Sequence, residues 1–345
     1  MKITSPPEGL KERDPQWHFE KIVEFTRFKG QIGEPSPHLA IMGHFCEEQD
    51  DIEKVWRLSC YAAVYCLPTA QVLWTKFPVD AARSVRWKEW LTDNWKGIVT
   101  RQERRCIRTP EKLAECLESA LLWGDKEFRT LQAVLPEYTE SNPKEYYDQV
   151  WDSVLGIKYF GRYIAIRFIE GLRRYCSVPA RLYDMRSIGG WSPKKALVYL
   201  YPQYQDILLT DTRESDQLSE RLFQELLERF ETEGGYKTDH YVLAAMLCEY
   251  RGAFENRKQY PGWTIDQEPL LYDKVAKYWG EDLATKPLWD ARKVIFPHQV
   301  LGEVNGWHGT RWDLTKTLRD HGYNWTDLRY RFPETKDFST PVQVN

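Results

Sequence analysis

The sequence has no Cys-x-x-Cys pair, although it carries seven cysteines, at 46, 60, 66, 106, 116, 176 and 248. An odd, scattered set in a chain of 345 residues argues against a disulfide framework and a structural zinc site. Reduced thiols in a cytoplasm fit it best. The histidines form neither H-x-x-x-H nor H-x-E…C-x-x-C, which disfavours a zinc deaminase. No metal is expected. There is no G-x-x-x-x-G-K-[ST] and no G-x-G-x-x-G, so neither a P-loop kinase nor a Rossmann cofactor is indicated, and no cofactor is called for. No run approaches the ~18 apolar residues of a membrane span. Met1–Pro15 is polar and Pro-rich, without the apolar stretch of a signal peptide. A soluble, unexported protein with no membrane partner is therefore expected. Sustained alternation of apolar and polar residues is also missing, so strands are not expected. The net charge is only -3, so any contact with DNA must come from local basic patches.

Aromatic residues are abundant. They make up 14% of the chain, with 15 tryptophans, so most rings must build a core before any are left to stack on bases. Apolar residues recur at three and four, and the chain reads as all-α. Ile52–Val72 reads as a helix that Leu67-Pro68-Thr69 bends or ends, because proline cannot continue the hydrogen-bond ladder. Ala70–Trp74 then restarts it. Thr109-Pro110-Glu111 starts a helix that runs to about Trp123, with a cap, a first-turn proline and an acid at the positive end of the dipole. Arg213–Thr232 is amphipathic, with Leu218, Leu222, Phe223, Leu226, Leu227 and Phe230 on one stripe, and Gly234-Gly235 ends it. Thr238 is the expected cap of a helix over Asp239–Asn256. The acidic run Glu47–Asp51, after His44, reads as a helix start rather than a metal site. The expected division is an N-terminal helical part at 1–135, a central part at 136–260 and an irregular C-terminal extension at 261–345. Pro136–Pro143 is the candidate linker, and Tyr260-Pro261-Gly262-Trp263 is a turn.

The segment from Leu155 to Arg174 is a glycine-containing turn running into an amphipathic helix. Phe160, Ile164, Phe168 and Leu172 stack at intervals of four, and Ala165 is small enough to admit a neighbouring helix. The segment resembles the helix-hairpin-helix element of DNA repair glycosylases, with Gly161, Arg162, Tyr163 and Ala165 in the pattern. Glycines let the backbone approach a phosphate, and N–H groups at a helix start bind anions. Lys158 and Arg162 add charge. Tyr159 departs from the pattern, because it stands where the first turn glycine belongs. The alternative is a helix–loop–helix packing element without DNA contact. Such glycosylases also carry an aspartate after this helix. Here Asp184 follows Pro179 at a similar distance. It is either a catalytic carboxylate or an ordinary one that pairs with Arg186 or caps the next helix.

Three further groups carry candidate chemistry. Arg101, Arg104, Arg105 and Arg108 fall at i, i+3, i+4 and i+7, which on a helix is one basic stripe. It either tracks phosphates or is a solvated face beside Glu103 and Glu111. Asp239 and Glu249 share a helix face with Val242 and Met246. Buried carboxylates there are either used in an active site or paired with Arg251 and Arg257. In Gly189-Gly190-Trp191-Ser192-Pro193-Lys194-Lys195, Ser192 can cap a helix while Lys194 and Lys195 reach phosphate.

Several local patterns together resemble the amino acid:DNA transferases of phages, in the wider clade of α-glutamyl/putrescinyl thymidine pyrophosphorylases. They are Glu53-Lys54-Val55-Trp56-Arg57 leading to Tyr61–Trp74, Trp95-Lys96-Gly97-Ile98 with Arg104-Arg105, Tyr159–Arg174, Tyr183–Gly190, and Tyr260–Asp266. The resemblance implies a helical, glycosylase-like scaffold with a variant helix-hairpin-helix element. It implies double-stranded phage DNA bearing a modified thymine as one partner and a free amino acid as the other. In such a reaction the amine displaces phosphate or pyrophosphate from activated 5-hydroxymethyluracil, in the cytoplasm of an infected bacterium. Asp184, Asp239 or Glu249 would take the amine's proton, and Arg186, Lys194 or Lys195 would hold the leaving group. The residues alone leave two alternatives open: a base-excising glycosylase, and a DNA-binding module without activity.

Overall fold

The computed structural model describes residues 14–31, 37–101, 107–138, 143–182, 191–254 and 269–295. Among them every regular element is helical, as the spacing of apolar residues predicts. The first helices are α1 (Pro15–Gln31), α2 (Pro37–Cys46), α3 (Asp51–Val64), α4 (Leu67–Lys76), α5 (Val79–Ala82) and α6 (Trp87–Asn94). A 3-10 turn at Trp95–Gly97 precedes α7 (Pro110–Trp123), which passes through a π turn into α8 (Arg129–Tyr138). Then come α9 (Pro143–Leu155), α10 (Arg162–Tyr175), α11 (Trp191–Leu200), α12 (Gln205–Leu208), α13 (Arg213–Thr232) and α14 (His240–Phe254). The last are α15 (Pro269–Trp279), α16 (Glu281–Ala284) and α17 (Lys286–Ile295). No helix among the described residues is long and apolar enough to cross a membrane.

Two compact units interleave along the chain. One comprises residues 1–37, 184–266 and 296–345, and the other residues 38–183 and 267–295. In the first unit α1 packs on α11 and α14, far along the chain. In that unit Phe19 meets Phe230 edge to face at 5.7 Å. His18 is buried, stacks on Tyr199 and lies 2.8 Å from the Tyr250 hydroxyl through Nδ1. The α13 stripe is buried at Leu218, Leu222, Phe223, Leu226 and Phe230, while Leu227 is half-exposed. Its end is closed as predicted. Gly235 is left-handed (φ 58°), and the Gly234 and Tyr236 N–H groups return to the Arg229 and Phe230 carbonyls.

The second unit is centred on α3, which packs on α4, α7 and α10. Asp50 caps α3 by accepting from the Ile52 and Glu53 N–H groups at 2.9 Å, so the acidic run is a helix start. α3 and α10 approach closely at Gly171, where a β-carbon would come within 2.6 Å of Leu58. The predicted helix over Ile52–Val72 is two helices. Tyr65 is left-handed (φ 51°) and returns its N–H to the Tyr61 carbonyl, ending α3. Pro68 then sits in the first turn of α4, where a missing N–H costs nothing. The proline therefore begins the second helix, and the break lies earlier, at Tyr65 and Cys66. Thr109 caps α7 as predicted, and α7 ends at Trp123.

Tryptophan serves this scaffold. Trp56, within the Glu53–Arg57 pattern, donates Nε1–H to the Phe77 carbonyl at 2.7 Å. Glu53 joins Arg57 at 2.8 Å and accepts the Val79 N–H, also at 2.8 Å. Trp279 of α15 stacks on Trp90 and donates to the Gly97 carbonyl at 2.9 Å. None of the described cysteines forms a disulfide. Of the expected linker, Pro136 and Tyr138 lie in α8, and 139–142 lie outside the described residues.

Candidate active site

In the unit of residues 38–183, three chain segments bring chemistry-bearing side chains together. The first turn of α2 supplies His38, the end of α3 supplies Tyr61 and Tyr65, and α10 supplies Tyr163 and Arg167. The non-helical chain before 102 adds Arg101, whose N–H donates to the Val64 carbonyl at 3.1 Å. Tyr61 stacks on His38 at 5.7 Å and on Tyr65 at 5.2 Å. The Tyr65 and Tyr163 hydroxyls lie 2.7 Å apart. The Arg101 guanidinium is 5.8 Å from the Tyr65 ring centre, and that of Arg167 is 5.7 Å from the Tyr163 ring centre. His38, Tyr61 and Tyr65 are buried, whereas Arg101, Tyr163 and Arg167 are half-exposed.

Arg167 is held from behind. Glu170 is 1% exposed, and its two oxygens meet Arg167 at 2.9 Å and Arg174 at 2.8 Å. A carboxylate this deep is tolerated because two guanidiniums compensate it. Burial, and then the charges of Arg101 and Arg167, push the His38 pKa down to about 3. The imidazole is therefore neutral at ordinary pH. The cluster offers phenol hydroxyls, a neutral imidazole and a guanidinium fixed in place by a buried carboxylate.

The hairpin segment is two helices, α9 and α10, joined by a turn. Tyr159, standing where the pattern has glycine, takes the left-handed backbone that glycine favours (φ 65°). Its hydroxyl donates to Glu115 at 3.1 Å. Lys158 donates its N–H to Ser119 at 3.0 Å and pairs with Glu115 at 3.3 Å. That pair is exposed and weak, so it does not commit the lysine. Gly161 and Arg162 are exposed at the start of α10. No side chain caps this helix, and a β-carbon on Gly161 would meet nothing within 4 Å. Ala165 is fully buried.

Other predicted groups are placed differently. The arginine stripe at 101–108 presumed a helix, but residues 98–101 and 107–109 are not helical. Arg101 faces Tyr65, Arg108 is exposed, and Arg104 and Arg105 lie outside the described residues. Lys194 pairs with Asp216 and lies 3.2 Å from the Ser215 hydroxyl, tying α11 to α13. Lys195 is half-buried. Ser192 lies inside α11 and accepts from Arg251 at 2.8 Å, so it is not the cap expected of it. Asp239 takes the cap expected of Thr238, accepting the Val242 N–H at 2.9 Å. Glu249 is half-buried ten residues further along, about 15 Å of helix rise away. The two carboxylates do not meet. Asp184, Arg186 and the Tyr260–Asp266 pattern lie outside the described residues.

Sequence reasoning named Tyr163 and Arg101, as DNA contacts, and did not name His38, Tyr65, Arg167, Glu170 or Arg174. A signal existed for part of this set. Tyr163, Arg167, Glu170 and Arg174 fall at i, i+4, i+7 and i+11, a polar stripe beside the apolar one. His38 and Tyr65 carry no such mark, because Tyr61 and Tyr65 read as apolar periodicity.

The sequence profile of the family described as amino acid:DNA transferase matches residues 28–258, which include the whole cluster. The chain is also similar, at 22% identity, to the serinyltransferase of Salmonella phage ViI, across 72% of this chain. It spans 65% of that relative's length. No solved structure matches the chain.

Proposed function

Because the chain belongs to the amino acid:DNA transferase family, we propose that it transfers an amino acid, through its amine, onto activated 5-hydroxymethyluracil in double-stranded phage DNA. The family match over residues 28–258 carries this reading. In the reaction the amine nitrogen bonds to the exocyclic carbon of the base. The bond from that carbon to the phosphoryl oxygen breaks, and phosphate or pyrophosphate leaves. The amine's proton passes to a carboxylate, for which Asp184 is the candidate, and Arg186 is the candidate cation beside the leaving group. The phage origin of the similar serinyltransferase supports a place in the infected bacterial cytoplasm.

The target carbon projects from C5 into the major groove, and enclosing it among protein side chains calls for the base to leave the stack. The uncapped, exposed start of α10, with Gly161, Arg162 and nearby Lys158, suits a DNA phosphate. Tyr163 and Arg167 follow on the same helix, within about two turns of that anchor. This nearness supports a reading in which a strand held at Gly161 presents a displaced base to the cluster.

The test is mass spectrometry of nucleosides from DNA carrying 5-phosphomethyluracil, or its pyrophosphorylated form, incubated with the protein and a mixture of amino acids. A nucleoside heavier than 5-hydroxymethyl-deoxyuridine by one amino acid residue is expected, because the phosphate or pyrophosphate has left. Unchanged nucleoside overturns the reading, and free base with abasic sites replaces it with glycosylase chemistry.

A further inference from the structure

We propose that the paired hydroxyls of Tyr65 and Tyr163, flanked by Arg101 and Arg167, seat an oxyanion carried by one of the two reactants. That oxyanion is either the phosphoryl leaving group or the carboxylate of the amino acid, and the inference rests on the transfer reading above. The donors come from separate parts of the chain, the end of α3, the non-helical chain at Arg101 and the first turns of α10. The set can be reached by a ligand, since Arg101, Tyr163 and Arg167 are half-exposed.

Their arrangement is set in advance. Glu170, shared between Arg167 and Arg174, fixes the Arg167 guanidinium before any ligand arrives. The two phenol hydroxyls are hydrogen-bonded to each other at 2.7 Å, which fixes both at one point. Guanidiniums flank the pair on the Tyr65 and the Tyr163 side. Charge-assisted hydrogen bonds from guanidinium and phenol are the donors that recognise carboxylate and phosphate. Tyr65 holds a left-handed backbone, and strain of that kind is concentrated at functional positions. Tyr163 lies two residues from Gly161, so an oxyanion here and a DNA phosphate at the helix start are neighbours.

Calorimetric titration of the full chain with inorganic pyrophosphate, inorganic phosphate, glycine and L-serine tests the seat in the wild type, Arg101→Gln and Tyr163→Phe. Neither substitution removes a packed ring or a backbone bond. The wild type is expected to bind one class of oxyanion, and each variant to bind it about tenfold more weakly with unchanged helical circular dichroism. Heat from the phosphates assigns the seat to the leaving group, and heat from the amino acids assigns it to the carboxylate. Absence of binding to both classes, or wild-type affinity in both variants, overturns the seat. Anion binding needs no DNA, so the two readings fail separately. Transfer without variant-sensitive anion binding sinks the seat alone. Variant-sensitive binding without transfer sinks the transfer reading alone.

Discussion

The hydroxyls of Tyr65 and Tyr163 are 2.7 Å apart across 98 residues of sequence. The pair joins the end of α3 to the start of α10. Tyr65→Phe and Tyr163→Phe each leave a hydroxyl without this partner, at an expected cost of about 1 kcal/mol. The double variant should cost no more than either single one, because it leaves no such orphan. Urea unfolding of the four proteins measures the cycle. Strictly additive costs would show that the hydroxyls do not act as a pair.

Glu170 joins Arg167 and Arg174 on a single helix while almost wholly buried. Glu170→Ala removes the compensating charge and leaves two guanidiniums beside each other. The expected loss is about 3 kcal/mol or more, read as a lower midpoint in denaturant. Glu118→Ala is the exposed control on α7 and should stay within about 0.5 kcal/mol of wild type.

Helix identity and many helix ends were legible, because they are local. Thr109-Pro110, Arg213–Thr232 and Gly234-Gly235 carry their signals within a few residues. The break at Tyr65 was misplaced onto Pro68 because proline marks a first turn as readily as an end. The interleaved units and the cluster were not legible. His38, Tyr65 and Arg101 meet through the packing of α2, α3 and α10, and nothing near any of them in sequence announces it. The Glu53–Arg57 pattern was visible, but its task is scaffolding. Glu53, Trp56 and Arg57 are held by Val79, Phe77, Phe45 and Gln49.

His38 should make the fold acid-sensitive. Its folded pKa, about 3, lies below the ordinary 6.5. Between those values the unfolded chain binds the extra proton, so this contribution to stability is present above about 6.5 and lost as pH falls towards 3. The slope approaches about 1.4 kcal/mol per pH unit. Among the described residues, the charged and titratable groups around it include Arg101, Arg167, Tyr61 and Tyr65. His38→Gln should flatten the stability profile between pH 6 and 4 relative to wild type, as followed by thermal unfolding at each pH. Parallel profiles would mean that His38 is protonated in the folded protein.

Tyr159 holds its left-handed backbone without glycine's freedom. Glycine there relieves about 1 kcal/mol of strain but gives back a similar amount in unfolded-chain entropy, and it loses the exposed bond to Glu115. Tyr159→Gly is therefore expected within about 1 kcal/mol of wild type, whereas the β-branched Tyr159→Val should be clearly less stable. Thermal midpoints decide it. A valine variant as stable as the glycine one would show that the turn relaxes out of the left-handed region.

Asp239 separates a structural carboxylate from a catalytic one. It accepts the Val242 N–H at 2.9 Å at the start of α14. Asparagine caps as well as aspartate but cannot take a proton from an amine, whereas alanine does neither. If capping is its task, Asp239→Ala loses about 1 kcal/mol of stability and Asp239→Asn loses little. Asp239→Asn should then keep the wild-type rate of transfer in the nucleoside assay. A fall in rate of about 100-fold or more in Asp239→Asn, with its unfolding midpoint unchanged, would instead make Asp239 the proton acceptor.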